Sequence, residues 1–252
     1  AVATRMLPYA LGTQTVGSVL RPAAYNGIVG LKPTYGLISK AGVIPQSNSC
    51  DTVGILCRNV IDATIILKSI AGYDPNDQHS SIKADSFEID YSFSNSIPKI
   101  GFLSKYFIDE SDENVKQSTL AALKSLSDQG AIIDEIDIKI DFPSGFKSHR
   151  IVQQSEMAQW HKPLYLKYAD KYKAITLEYI KSGFSQNATE YINALEFRNQ
   201  MRKVAIDALK SFDVLMMPTA SGLPPKDLSR TGDTRFQSPW TFTGLPSIAI
   251  PA

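Results

Sequence analysis

Apolar and polar positions alternate along the chain in two rhythms, and their order predicts a sheet covered by helices. A short apolar run at 99–103 reads as a buried strand. Residues 111–129 then place Val115, Leu120, Leu123 and Leu126 on one helical face, Gly130 suits the C-terminal cap, and 131–140 returns to a strand pattern. Strand, helix and strand make a βαβ unit. Upstream, Asn59 precedes an apolar-rich run from Val60 to Ala71. This predicts a helix capped by Asn59, closed by Gly72 and buried on more than one face. Residues 142–212 read as mostly helical, most clearly at 190–210. The aromatic residues there, among them Trp160, Tyr165, Tyr172, Tyr179 and Tyr191, suit either packing or a pocket wall. Short apolar pieces broken by Gly, Pro and Lys at 28–39 predict strands and turns, 74–77 predicts a turn, and 78–96 is polar enough for a surface linker. Residues 1–11 predict a helix running into a strand, and 247–252 predict another strand.

Composition narrows the function classes. With 43% hydrophobic residues in 252, the chain can bury a substantial core. Its 26 basic residues are balanced by 25 acidic ones, so charge gives no case for nucleic acid or an acidic membrane surface, and a small-molecule partner is expected. No apolar run reaches membrane-spanning length and no signal peptide opens the chain. Cys50 and Cys57 are too few for a disulfide framework or a zinc site, which points to a reducing cytoplasm. A homodimer stays open.

The residues that could carry chemistry lie in Gly12-Thr13-Gln14-Thr15-Val16-Gly17-Ser18-Val19-Leu20-Arg21-Pro22. A serine directly after a glycine in a tight turn can present its hydroxyl to a carbonyl while neighbouring N–H groups meet the resulting oxyanion. Rival arrangements are poorly supported. There is no Gly-x-Ser-x-Gly elbow, phosphate loop or His-Glu-x-x-His site, and His79, His149 and His161 belong to no motif. Ser-x-x-Lys occurs at 80–83 and 144–147 without its companion motifs.

That loop, followed by Gly30-Leu31-Lys32-Pro33-Thr34-Tyr35-Gly36 and Asp51-Thr52-Val53-Gly54, resembles the amidase signature family over residues 12–74. A weaker echo lies at 212–219 and 244–247. The resemblance implies an α/β fold, an α/β/α sandwich with a mixed sheet, incomplete at both ends. It divides one domain into a nucleophile-bearing core at 1–75, the βαβ unit at 97–141, a mostly helical part at 142–211 and closing strands at 212–252. It makes Ser18 the nucleophile, gives the oxyanion hole to the N–H groups of Thr15, Val16, Gly17 and Ser18, and requires neither metal nor cofactor. The family's catalytic lysine and cis-serine precede the nucleophile and are not in this sequence, so residues 1–252 alone are expected to be inactive. Lys32 falls in a structural motif. Val16 stands where the family usually has glycine, and its branched side chain would restrict the backbone beside the oxyanion donors. Arg21 is expected either to bind a substrate carboxylate or to brace the loop through a buried acid such as Asp51. The implied activity is hydrolysis of carboxylic amides. Two alternatives are the glutamine-hydrolysing component of a tRNA-dependent amidotransferase and an inactive protein that keeps the fold for binding.

Overall fold

The computed structural model describes residues 1–89, 96–227 and 229–252. In chain order its main elements are β1 (Tyr9–Gln14), α1 (Leu20–Tyr25), β2 (Val29–Lys32), β3 (Thr52–Cys57), α2 (Val60–Ile70), β4 (Lys99–Leu103), α3 (Glu113–Asp128), β5 (Ile132–Ile136), α4 (Phe142–Tyr168), α5 (Ala174–Ser185), α6 (Ala188–Leu209), β6 (Val214–Met216), α7 (Ser238–Phe242) and β7 (Ser247–Ala249). The strands form a four-stranded sheet ordered β1-β3-β2-β7 and a three-stranded sheet ordered β5-β4-β6. The first is antiparallel throughout and the second parallel, so both kinds of pairing expected of a mixed α/β fold occur.

In the antiparallel sheet, β1 and β3 pair from Tyr9 opposite Cys57 to Gln14 opposite Thr52. That register ends β1 where the loop carrying Ser18 begins. Two glycines on this sheet let α1 lie against it. A Cβ on Gly30 would stand 2.5 Å from Cβ of Ala23, and one on Gly54 would stand 2.9 Å from Val19 Cγ2. The short helix carrying Arg21 is therefore seated on main chain, not on a cushion of side chains. Val29, Ile55, Cys57, Ala63 and Leu67 form a core between the sheet and α2.

Asn59 caps α2 as its sequence predicts, accepting a hydrogen bond from Asp62 N. Burial of α2 on several faces is not found. Ala63 and Leu67 are buried, whereas Val60, Ile61 and Ile65 are about half exposed, because only one side of the helix meets a sheet. In α3 the inward residues are Thr119 and Leu123, while Leu120 faces solvent. The predicted helix within 1–11 is absent. Turns close there instead, with Arg5 N donating to Val2 O and Met6 N to Ala1 O, and Arg5 adopts a φ of 63°. The polar stretch 78–96 is less a free linker than its composition suggests, since Phe87 and Ile89 pack on the first core and a 3₁₀ turn spans Ile82–Ser86. The remainder of that stretch, 90–95, lies outside the described residues.

The helical part consists of α4, α5 and α6, as expected for 142–211. Asp141 and Asn187 cap α4 and α6, the latter with a reciprocal Glu190 bond. Phe142, Phe107, Phe236 and Trp240 join the parallel sheet to this layer, and Cys50, Val152, Met201 and Phe242 join it to the loop before β3. The two cores converge on α7, which places that short helix under the loop carrying Ser18.

Candidate active site

Gln14, fully buried at the end of β1, anchors the loop that follows. Its Oε1 accepts from Val19 N at 2.8 Å and Leu20 N at 2.9 Å, and its Nε2 donates to Thr241 Oγ1 at 2.8 Å. Thr241, on α7, donates in turn to the Val16 carbonyl at 2.7 Å. The Gly17 carbonyl accepts from Arg21 N at 2.9 Å. With their carbonyl sides thus occupied, the N–H groups of Val16, Gly17 and Ser18 donate to no other group among the described residues. Gly17 is buried against Gln237, whose Oε1 would stand 2.5 Å from an added Cβ. Among the described residues only Arg5 and Tyr106 are non-glycines with positive φ, so Val16 sits in ordinary backbone. The restriction expected of its branched side chain finds no strained conformation to act on.

Ser18 is exposed and opens on a cavity of about 390 Å³. Arg21, Phe146, His149, Arg150, Gln153 and Tyr179 contribute to its walls, together with residues 231–234. The cavity is therefore enclosed by α1, α4, α5 and the segment before α7. Among the described residues no side chain hydrogen-bonds the Ser18 hydroxyl.

Arg21 is 8% exposed, and its Nη1 donates to the Gly232 carbonyl at 3.1 Å. Burial lowers its pKa, opposed by the nearby Tyr25 and Asp233. Bracing through Asp51 is not found. The Asp51 carboxylate instead accepts from the Thr15 hydroxyl and from the N–H groups of Gln46 and Ser47. A buried acid does stand beside the loop as expected, but it fixes Thr15. Burial raises its pKa against those hydrogen bonds. Lys32 is wholly buried with Nζ donating to the Pro33 carbonyl, away from Ser18's cavity, and burial lowers its pKa to about 7.

Of the three histidines, His149 reaches the cavity. His161 bonds Tyr172, and His79 lies beside Gln78 and Tyr35. Phe146 and Tyr179 are aromatics of the helical part that meet Ser18's cavity, whereas Tyr165 packs on Phe184 and Tyr191 bonds Glu156. Among the described residues no cluster of three His, Cys, Asp or Glu side chains could hold a metal.

A model of the family described as Amidase matches residues 1–252. The chain belongs to the amidase family. It is similar to a glutamyl-tRNA(Gln) amidotransferase component of Lachnospira eligens, with 30% identity over 287 residues covering all of this chain and 59% of that protein. Among solved structures it resembles one described as an amidase, with a TM-score of 0.83, 22% identity, and 96% of this chain and 55% of that one covered. It also resembles 6-aminohexanoate cyclic dimer hydrolase complexed with substrate, with a TM-score of 0.82, 20% identity, and 99% and 58% covered. At those identities the structural likeness concerns the fold. The chain spans a little over half the length of the curated relatives it matches. No helix among the described residues is long and apolar enough to cross a membrane.

Proposed function

We propose that the intact protein is an amidase that hydrolyses small carboxylic amides through an acyl-enzyme on Ser18. The observation that carries this reading is an exposed serine at the mouth of a cavity beside three N–H groups with no other partner. Ser18 Oγ forms a bond to the amide carbon, and the carbonyl electrons move to oxygen, where the N–H groups of Val16, Gly17 and Ser18, with Thr15 beside them, receive the charge. Collapse of that intermediate breaks the C–N bond, and the amine leaves with the proton given up by the serine. Water then repeats the sequence and frees the acid.

A neutral hydroxyl is a weak nucleophile without a base. No described side chain hydrogen-bonds the Ser18 hydroxyl, and in this reading its proton goes to the lysine and second serine that the resemblance implies, which are not in residues 1–252. Residues 1–252 by themselves are then expected to turn over no amide. The reading also places the protein in the cytoplasm, in keeping with two free, buried cysteines. Adding hydroxylamine to the intact protein with a small amide tests the acyl-enzyme. Hydroxamate should form in competition with acid at an unchanged rate of amine release, and release of acid with no diversion would rule out the intermediate.

One second reading has a specific observation behind it, the description of curated relatives as components of a glutamyl-tRNA(Gln) amidotransferase. On that reading the same serine would release ammonia from glutamine. Comparing glutamine with simple aliphatic amides as substrates separates the two.

Arg21 supplies a further expectation. It is a buried guanidinium on the cavity wall with no carboxylate within ion-pair distance among the described residues, and Asp233 is engaged by Arg235 at 2.6 Å. A buried cation with no carboxylate at ion-pair distance is costly, and a substrate carboxylate would offset that cost. Half-amides of small dicarboxylic acids should therefore exceed neutral amides of equal size in kcat/KM by roughly tenfold or more, the worth of one charge-assisted hydrogen bond. Arg21→Met should remove the preference. Equal rates for both amide classes in the intact protein would leave Arg21 only its bond to Gly232.

A further inference from the structure

Four glutamines among the described residues are buried. Gln14 holds the loop carrying Ser18, Gln154 accepts from Gln186 Nε2, and Gln237 donates to the Thr219 carbonyl. Gln153 is the fourth. It is 6% exposed, yet its side-chain amide hydrogen-bonds no group among the described residues. Neither its nitrogen nor its oxygen is sealed in protein, unlike Gln237 Oε1.

The space it faces is the cavity of Ser18. Gln153 follows Phe146, His149 and Arg150 along α4 at helical spacing, and all four line that cavity. They make one wall of it, while Arg21 comes from α1. Its neighbours on that wall are engaged elsewhere, His149 Nδ1 with Ser238 Oγ and Arg150 Nη2 with the Tyr179 hydroxyl. A ligand that fills the cavity takes solvent away from the Gln153 amide, and it binds well only where it replaces the lost hydrogen bonds.

The amide holds an acceptor and a donor side by side, which selects its partner. A carboxylate only accepts and would leave Oε1 bare. An ammonium only donates and would leave the NH2 group bare. A primary carboxamide has an N–H beside its C=O and closes both bonds at once. We propose that Gln153 is a specificity-determining residue that pairs with a carboxamide of the substrate other than the one being cleaved, so that small diamides are a favoured substrate class. Its effect on turnover rests on the acyl-enzyme reading of Ser18, whereas the pairing itself does not. It is also separate from carboxylate recognition by Arg21, a group with donors only.

The test uses neutral probes of matched shape: succinamide, glutaramide and adipamide, each beside the keto-amide in which one NH2 group is replaced by methyl. Both members of a pair offer a second carbonyl to Arg21, and they differ in the N–H that Gln153 Oε1 accepts. With the intact protein, the best diamide should exceed its keto-amide by roughly tenfold in kcat/KM per scissile amide, the worth of one lost bond with its acceptor left bare. Gln153→Met keeps an unbranched side chain of similar length and should remove that margin by slowing the diamide alone. Equal rates in every wild-type pair, a margin that survives in Gln153→Met, or an equal loss with both members of a pair would overturn the proposal. Binding to the intact Ser18→Ala variant gives a readout that needs no turnover. There the diamide should bind roughly tenfold tighter than its keto-amide, and equal affinities would overturn the proposal. If the wild-type protein released no amine from any probe while that margin in binding held, the acyl-enzyme reading would fail and the pairing would stand.

Discussion

Ser18→Ala is expected to lower kcat for amide hydrolysis by about 10⁴-fold or more, the scale seen when a serine nucleophile is deleted while the rest of the site is kept. The substitution removes one exposed oxygen that bonds to no described group, so neither packing nor the loop's hydrogen bonds depend on it. KM and the melting temperature should therefore stay close to wild type. A variant that keeps its full rate would place the chemistry on another residue. A variant that unfolds would show that Ser18 has a structural role these contacts do not reveal.

Gly17→Ala is the next most damaging change, and here the reason is space. A methyl group would stand 2.5 Å from Gln237 Oε1 and 3.2 Å from Gln237 Cδ, well inside contact distance. Gln237 is 1% exposed, and its amide donates to the Thr219 carbonyl, so it has little room to retreat. The loop would have to move instead, and with it the N–H groups of Gly17 and Ser18. Losing one oxyanion donor costs roughly 10²–10³ in kcat, and Gly17→Ala should fall in that range with a smaller effect on KM. Shortening the obstructing side chain gives an internal control, because Gln237→Ser in the Gly17→Ala background should return part of the rate. A double variant no faster than Gly17→Ala would place the damage elsewhere.

The loop carrying Ser18 was legible as a candidate site because its parts are contiguous: Gly17, Ser18 and Arg21 fall within five positions, and turn chemistry is local. The helices of 142–211 were legible for the same reason, since periodicity and caps such as Asn187 are written within a few residues. What surrounds the loop was not. Gln14 meets Thr241 across 227 positions, and His149 bonds Ser238 across 89, and no spacing rule connects such pairs. Periodicity also says which residues could be buried without saying how many neighbours exist to bury them. That is why α2, apolar around much of its circumference, has Ile61 and Ile65 in solvent. The acid beside the loop shows the same limit in finer detail. Asp51 was visible as a candidate brace, but whether it meets Arg21 or Thr15 depends on where the turn at 46–51 places its carboxylate.

The central claim, that Ser18 is acylated during amide hydrolysis, is tested most directly by treating the intact protein with a fluorophosphonate probe and locating the adduct by mass spectrometry. A single adduct on the peptide containing Ser18, formed in step with loss of amide hydrolysis, is the predicted result. Inactivation with the adduct on any other residue would contradict it.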